Sequence, residues 1–210
     1  MRKEINSPAI KPVIPEAPFS WIDVNCNASG NSFVDRMENT FQCNEEIGFW
    51  TNGITNATLR LDQSPINSEL FSLSLCFSGN EPYPLFFGNS EESGVWLEIA
   101  NKVYRFRNNA GILFSHSFEN KFTFALVKEN SQCRFFHNGN YITGAALNTI
   151  TSNNMTIRSG LNDRLVNLFM YKRAVTDMEI SALYSVDFQS SKGLDHLGFQ
   201  NSIQSFSMEI

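Results

Sequence analysis

The stretch SQCRFFHNGNYITG, residues 131–144, sets two short apolar runs on either side of Asn138-Gly139. A two-residue type I′ turn needs positive φ at both central positions, and Asn followed by Gly tolerates that conformation. A strand ending near His137 must therefore turn straight back through Asn140 and Tyr141. Immediately upstream, KFTFALVKENS alternates Phe122, Phe124 and Leu126 with Thr123, Ala125 and Val127, the period of a strand with one strongly apolar face. Consecutive strands joined by such short turns make an antiparallel meander.

The same grammar runs through most of the chain. ELFSLSLCFSG alternates Phe71, Leu73, Leu75 and Phe77 with Ser72, Ser74, Cys76 and Ser78, which reads as a strand with one buried face. IGFWTNG and ATLRLD read as a strand pair, and PLFFGN, GVWLEIAN, VYRFRNN and GILFSHS follow at the short spacing of a sandwich. One segment reads as a helix. In RAVTDMEISALYS, Thr176 followed by Glu179 forms a capping box, and Ile180, Leu183 and Tyr184 fall at helical spacing. The sequence thus predicts an all-β, antiparallel jelly-roll sandwich over residues 19–188 with one short helix near its end. Before it, residues 1–18 carry Pro8, Pro12, Pro15 and Pro18 and read as an extended arm, expected to pack on a neighbouring subunit or partner or to stay disordered in isolation. After it, residues 189–210 form a tail, a final strand or an assembly contact.

A single sandwich of 210 residues has enough material for a large core, with 19 Phe and 42% hydrophobic residues. Charged residues make up 18%, below the roughly 25% usual in soluble domains, so the surface must rely on Asn, Ser and Thr. The net charge of −5 gives no electrostatic footprint for nucleic acid, whose phosphates select for Lys and Arg. The N-terminal residues lack the apolar core of a signal peptide, and no run of about 18 apolar residues would span a membrane. Cys26, Cys43, Cys76 and Cys133 are widely spaced without a Cys-x-x-Cys pattern and read as free thiols; Cys26 and Cys43 are the one pair near enough in sequence to suggest a disulfide. His116, His137 and His196 stand alone, so no zinc site is expected. Asp163, Glu91 and Glu92 are acidic loop positions that no Asp-rich pattern joins, so no metal or other cofactor is expected.

The order SELFSLSLCFS, PLFFGN, FTFALVKENSQCRFFHNGNYIT and MTIRSGLNDRLVNLFMYKRAVTDMEISALY resembles the concanavalin A-like, laminin-G-like jelly-roll superfamily. Phe124 to Val127, Phe135 to Gly139, Ile157 to Gly160 and Tyr171 to Tyr184 stand where that group carries its hairpin, its Ile-Gly strand and its closing helix. The resemblance spans about residues 19–187. It implies a lectin-like module that recognises sugars or protein receptors through rim loops or a sheet face. Some members are glycoside hydrolases of the laminarinase type, whose Glu-x-Asp-x-Glu strand sets catalytic carboxylates about 5 Å apart on one face. In WLEIANKVY, Glu98 is present, but Ala100 and Lys102 occupy the other two places. The expected function is therefore non-catalytic recognition of a glycan or cell-surface receptor. The Pro-rich arm and the missing signal add the expectation of display on a viral particle or surface assembly, with other subunits held through the arm. The alternative is a purely structural assembly subunit without a ligand.

Glycan sites combine an aromatic platform with amide and carboxylate groups that hydrogen-bond sugar hydroxyls. Trp50 and Asn52 in GFWTNG supply that chemistry at a strand-to-turn boundary, and Asn89, Glu92 and Trp96 supply it around GNSEESGVW. Asn140 and Tyr141, beside the Asn138-Gly139 turn, complete the candidate set.

Overall fold

The computed structural model describes residues 14–15, 18–23, 25–44, 47–50, 53–90, 93–147 and 154–190. In chain order the strands are β1 (Ser20–Ile22), β2 (Asn27–Ser29), β3 (Ser32–Val34), β4 (Thr40–Cys43), β5 (Gly48–Trp50), β6 (Gly53–Thr55), β7 (Ala57–Leu61), β8 (Leu70–Ser78) and β9 (Leu85–Ser90). They continue with β10 (Ser93–Ala100), β11 (Val103–Asn108), β12 (Gly111–Ser117), β13 (Lys121–Glu129), β14 (Gln132–His137), β15 (Asn140–Ala146), β16 (Met155–Ser159) and β17 (Arg164–Tyr171). One helix, α1 (Asp177–Ser190), follows.

The strands form two antiparallel sheets. The first runs β15-β14-β13-β8-β17-β6-β5, with β1 also paired to β17; the second runs β12-β11-β10-β9-β16-β7-β4-β3-β2. This is the all-β antiparallel sandwich with one helix that the sequence predicts. At the hairpin that anchored that expectation, Asn138 has φ 49° and Gly139 φ 78°, the two left-handed positions of a type I′ turn.

Between the sheets lies one large core. From the first sheet come Phe71, Leu73, Leu75 and Phe77 of β8 and Phe122, Phe124 and Leu126 of β13. From the second come Leu85 and Phe87, Val95, Leu97 and Ile99, and Tyr104 and Phe106. These are the alternate positions of each strand, so the inter-sheet core follows directly from the two-residue period.

The first sheet is buried on its other face as well. Ala125, Val127, Phe136, Phe169 and Tyr171 point away from the inter-sheet core and pack with Val175, Ile180, Leu183 and Val186 of the helical segment. The helix starts with the predicted capping box: the Thr176 N–H donates to Glu179 Oε2 at 2.7 Å, and the Glu179 N–H donates to Thr176 Oγ1 at 3.2 Å. Strand β8, read as having one buried face, has two, because Ser72, Ser74 and Cys76 lie on the helix side and are all buried. Ser72 fixes the loop that enters the helix: its hydroxyl donates to the Arg173 carbonyl at 2.8 Å and accepts from the Val175 N–H at 3.0 Å.

A second departure concerns IGFWTNG and ATLRLD. Gly48–Trp50 pairs instead with Gly53–Thr55 in the first sheet, and Ala57–Leu61 belongs to the second, paired with β16 and β4. Asn56, at φ 50°, carries the chain from one sheet to the other, a change of direction that strand alternation does not encode. All four cysteines are free, and burial pushes the Cys26 and Cys133 thiols up to about 12. Of the arm, Ile14 packs against the helix-side cluster and the Pro15 carbonyl accepts a hydrogen bond from the Tyr171 hydroxyl at 3.3 Å. Helix α1 extends through Ser190, and the remainder of the tail lies outside the described residues.

Candidate functional site: the outer face of the second sheet

Strands β10 and β11 are joined by Asn101 and Lys102, both left-handed at φ 53° and 58°, so the two strands pair in tight register. Val95, Leu97 and Ile99 then point inward with Tyr104 and Phe106, which leaves Trp96, Glu98, Arg105 and Arg107 on the outer face. Trp96 stands opposite Arg107, and Glu98 stands opposite Arg105. The Arg107 guanidinium lies over the Trp96 ring at 5.3 Å and donates through Nη1 to Glu98 Oε2 at 2.8 Å. Arg105 Nη1 lies 3.6 Å from the other oxygen of the same carboxylate.

The pattern continues across the sheet. On β9, Leu85 and Phe87 enter the core, so Phe86 faces out, opposite Trp96 on one side and Thr156 of β16 on the other. Thr156 is opposite Arg60 of β7, and Arg60 is opposite Gln42 of β4. One unbroken row therefore reads Arg107, Trp96, Phe86, Thr156, Arg60, Gln42. In the neighbouring row Ser115 precedes Arg105 and Glu98, and Arg158 stands opposite Thr58. The Arg158 guanidinium covers Phe86 at 5.0 Å, as Arg107 covers Trp96. The two rings are consequently only 4% and 8% exposed although they point away from the core.

Four guanidiniums thus occupy this face. Glu98 is the one carboxylate that the strands place among them within the described residues. At one border Arg158 is also close to Glu81, whose pKa is raised by burial and by Asp163, with Arg158 opposing. Stacking on an aromatic ring holds a guanidinium flat and leaves its N–H edge free to bind planar oxyanions.

A second feature lies at one end of the sandwich. Ser117, Phe118, Glu119, Lys121, His137 and Asn138 line an open cleft of about 470 Å³. Behind it the His116 and His137 rings stack at 3.8 Å, and the Tyr104 hydroxyl is 2.7 Å from His137 Nδ1. Burial and the proximity of His116 depress the His137 pKa to about 4, so the ring is neutral at physiological pH. His116 Nδ1 lies 2.7 Å from the Ser117 carbonyl, which can only accept, so that nitrogen carries the proton.

The described residues among those singled out from sequence fall in several places. Trp96 is on the face just described, and Asn89 belongs to the hairpin partner strand β9, with its side chain outside the described residues. Glu92 and Asn52 lie outside the described residues altogether, and Trp50 ends β5 at the far edge of the first sheet with its side chain likewise outside them. Asn140 pairs with His137 beside the cleft. Tyr141, 53% exposed, instead packs edge-on against Phe136 on the helix side. Among those whose side chains are described, Trp96, Asn140 and Tyr141 lie on different parts of the sandwich. The residues around Trp96 that sequence reasoning passed over are Phe86, Arg60, Arg105, Arg107 and Arg158. For Arg105 and Arg107 the signal was present in WLEIANKVYRFR, where two polar or aromatic alternations flank a two-residue turn, but Asn-Lys announces that turn less clearly than Asn-Gly does.

No protein-family model matches the chain, and no curated protein matches it in sequence. Solved structures do share its fold. A botulinum neurotoxin type C structure, described as depending on two ganglioside molecules for cell entry, superposes with a TM-score of 0.60 at 12% identity, covering 81% of this chain and 51% of that one. The binding domain of botulinum neurotoxin DC in complex with SialylT gives 0.56 at 13% identity, covering 83% and 52%. Trypanosoma rangeli sialidase in complex with the inhibitor DANA gives 0.62 at 16% identity, covering 85% and 34%. The chain therefore spans about half the length of the toxin structures and a third of the sialidase, and what it shares with them is the β-sandwich fold.

Proposed function

We propose that this chain is a non-catalytic, lectin-like glycan-recognition module that binds its ligand on the outer face of the second sheet. The observation that carries the reading is the pair of outward aromatic rings, Trp96 and Phe86, side by side beneath two guanidiniums. Guanidiniums held flat on these nearly buried rings present fixed N–H donors, which suit the hydroxyl and acidic oxygens of a sugar. Thr58 and Gln42, along the same rows, add hydroxyl and amide partners. The structural neighbours support the reading, since the toxin structures are described with gangliosides and with SialylT.

A catalytic reading has less behind it. Glu98 is the natural candidate, yet its neighbours on the face are arginines, whereas glycoside hydrolysis pairs two carboxylates. We place the module on an assembled surface such as a particle, where many copies would add avidity to weak single sites. The test is titration of the purified chain with an immobilised glycan panel, followed by Trp96→Ala and Phe86→Ala. Loss of binding in both variants, with the melting temperature still that of a folded domain, is the expected result. Undiminished binding in both would move the site elsewhere on the molecule.

A further inference from the structure

We infer that the ligand of this face is an acidic oligosaccharide, bearing carboxylate or sulfate groups on more than one sugar unit; this rests on the recognition reading above. The argument begins with the balance of donors and acceptors. A site for neutral sugars needs both, because each hydroxyl donates and accepts. Here Arg60, Arg105, Arg107 and Arg158 offer donors only; Glu98 is held by Arg105 and Arg107, and Glu81 lies near Arg158, so four guanidiniums face two carboxylates among the described residues. The Nε–H of Arg107 has no acceptor among the described residues, so even that guanidinium is not saturated. Planar or tetrahedral oxyanions satisfy such arrays.

Net charge sharpens the point. The whole chain carries −5, yet this face concentrates four positive groups on strands β11, β16 and β7 of one sheet. A positive patch on an acidic protein attracts anions locally while the remainder repels them, which favours a defined ligand over a general polyanion.

Spacing then sets the length. Arg105 and Arg107 lie two residues apart on β11, and Arg158 and Arg60 lie on β16 and β7, beyond the ridge made by Trp96 and Phe86. At ~4.8 Å per strand, the three steps from β11 to β16 span ~14 Å. Arg107 and Arg158 lean inward over the rings of β10 and β9, so ~14 Å is the outer limit of their separation, and the face matches anionic groups on neighbouring sugar units. Lysines would serve a diffuse surface; arginines pinned on rings serve a fixed geometry.

The experiment compares matched oligosaccharides of one to six units, either neutral or carrying uronate or sulfate, by calorimetric titration at two salt concentrations. Binding of the acidic series at least tenfold tighter than the neutral series, strengthening up to about four units and weakening with salt, is expected. Arg105→Gln and Arg158→Gln should each reduce affinity for the acidic series several-fold and by more than for the neutral series. Glu98→Gln provides a second readout that needs no loss of function: removing the internal counter-charge should tighten acidic binding several-fold. Equal affinity for neutral and acidic series would overturn the inference and leave glycan recognition standing, whereas no binding to either series would overturn both. Vesicles of phosphatidylserine and phosphatidylcholine form the other arm, and stronger retention on them than on the acidic oligosaccharides would also overturn the inference.

Discussion

Gly139, at the tip of the β14–β15 hairpin, packs against Tyr184 of the helix: a Cβ added to the glycine would lie 2.9 Å from the Tyr184 Cβ and 3.1 Å from its Cδ1. The turn that defines the meander is thus also the place where the helix closes on the first sheet. Gly139→Ala faces two costs, a left-handed φ of 78° and this contact. The expected destabilisation is about 1–3 kcal/mol. Denaturant unfolding of Gly139→Ala, of Tyr184→Gly, which removes the Cβ that makes the nearest contact, and of the two together separates the two terms. The double variant should lose less than the sum of the singles, and strict additivity would show that the contact does not matter.

Acid should weaken the fold in two stages. The His137 pKa falls from 6.5 to about 4 in the folded chain, so below pH 6.5 the unfolded chain takes up its proton first. The stability that the neutral ring contributes is present above pH 6.5 and is lost as the pH falls towards 4. Glu179, held by Arg173 and by the Thr176 N–H, drops from 4.5 to about 2, so its contribution is lost only between those values. Each group is partly solvated, and screening reduces the stability at stake to about 1–2 kcal/mol for His137 and under about 1 for Glu179. Urea midpoints measured from pH 7.5 to 3 should show both stages. His137→Gln, which keeps an acceptor for Tyr104 without titrating, should flatten the upper stage and leave the lower one; an unchanged slope above pH 4.5 would remove His137 from the account.

Ser72 offers a test of how the helix is attached. Its hydroxyl bridges the Arg173 carbonyl and the Val175 N–H from the middle of a strand that is buried on both faces. Ser72→Ala leaves those two backbone groups without that partner, at a cost of about 1–3 kcal/mol. Hydrogen exchange should quicken in α1 more than in β10 or β11. Uniform acceleration across both sheets would mean that helix and sandwich open together.

What could be read in advance was whatever is written in neighbouring residues. Asn138-Gly139 announced its turn, Thr176 and Glu179 announced the helix start, and the alternation in β8 and β13 gave the inter-sheet core. The second use of those same strands was not legible, because Ala125 and Val127 look like a weak outer face until a helix fifty residues later covers them. The sheet switch at Asn56 was hidden for a similar reason: one left-handed residue redirects the chain without altering the alternation on either side. At the candidate site Trp96 was visible as an aromatic near a turn. Its covering by Arg107 depends on a cross-strand register, and the Phe86 and Arg158 contacts depend on strands more than fifty residues apart in sequence.

The start of the chain provides the last prediction. The sequence gives residues 1–18 no periodic apolar face, from which deletion of the arm would be expected to leave the domain's melting temperature almost unchanged. Of that segment, Ile14, Pro15 and Pro18 are described. Ile14, partly buried, packs against the cluster that contains Phe169, Tyr171 and Leu183, and Pro15 is buried with its carbonyl 3.3 Å from the Tyr171 hydroxyl. Partial burial of an isoleucine is worth up to about 1.5 kcal/mol, and one buried hydrogen bond about 1. Burial also raises the Tyr171 pKa, so the hydroxyl stays protonated and available as a donor at any ordinary pH. Removing residues 1–13 should therefore leave the thermal midpoint within about a degree of the full chain, while removing residues 1–18 should lower it by about 4 °C or more, at 2–4 °C per kcal/mol for a chain of this size. Tyr171→Phe in the full chain should account for only the hydrogen-bond share of that loss. Identical melting of the two truncations would show that Ile14 and Pro15 add nothing to the helix-side core.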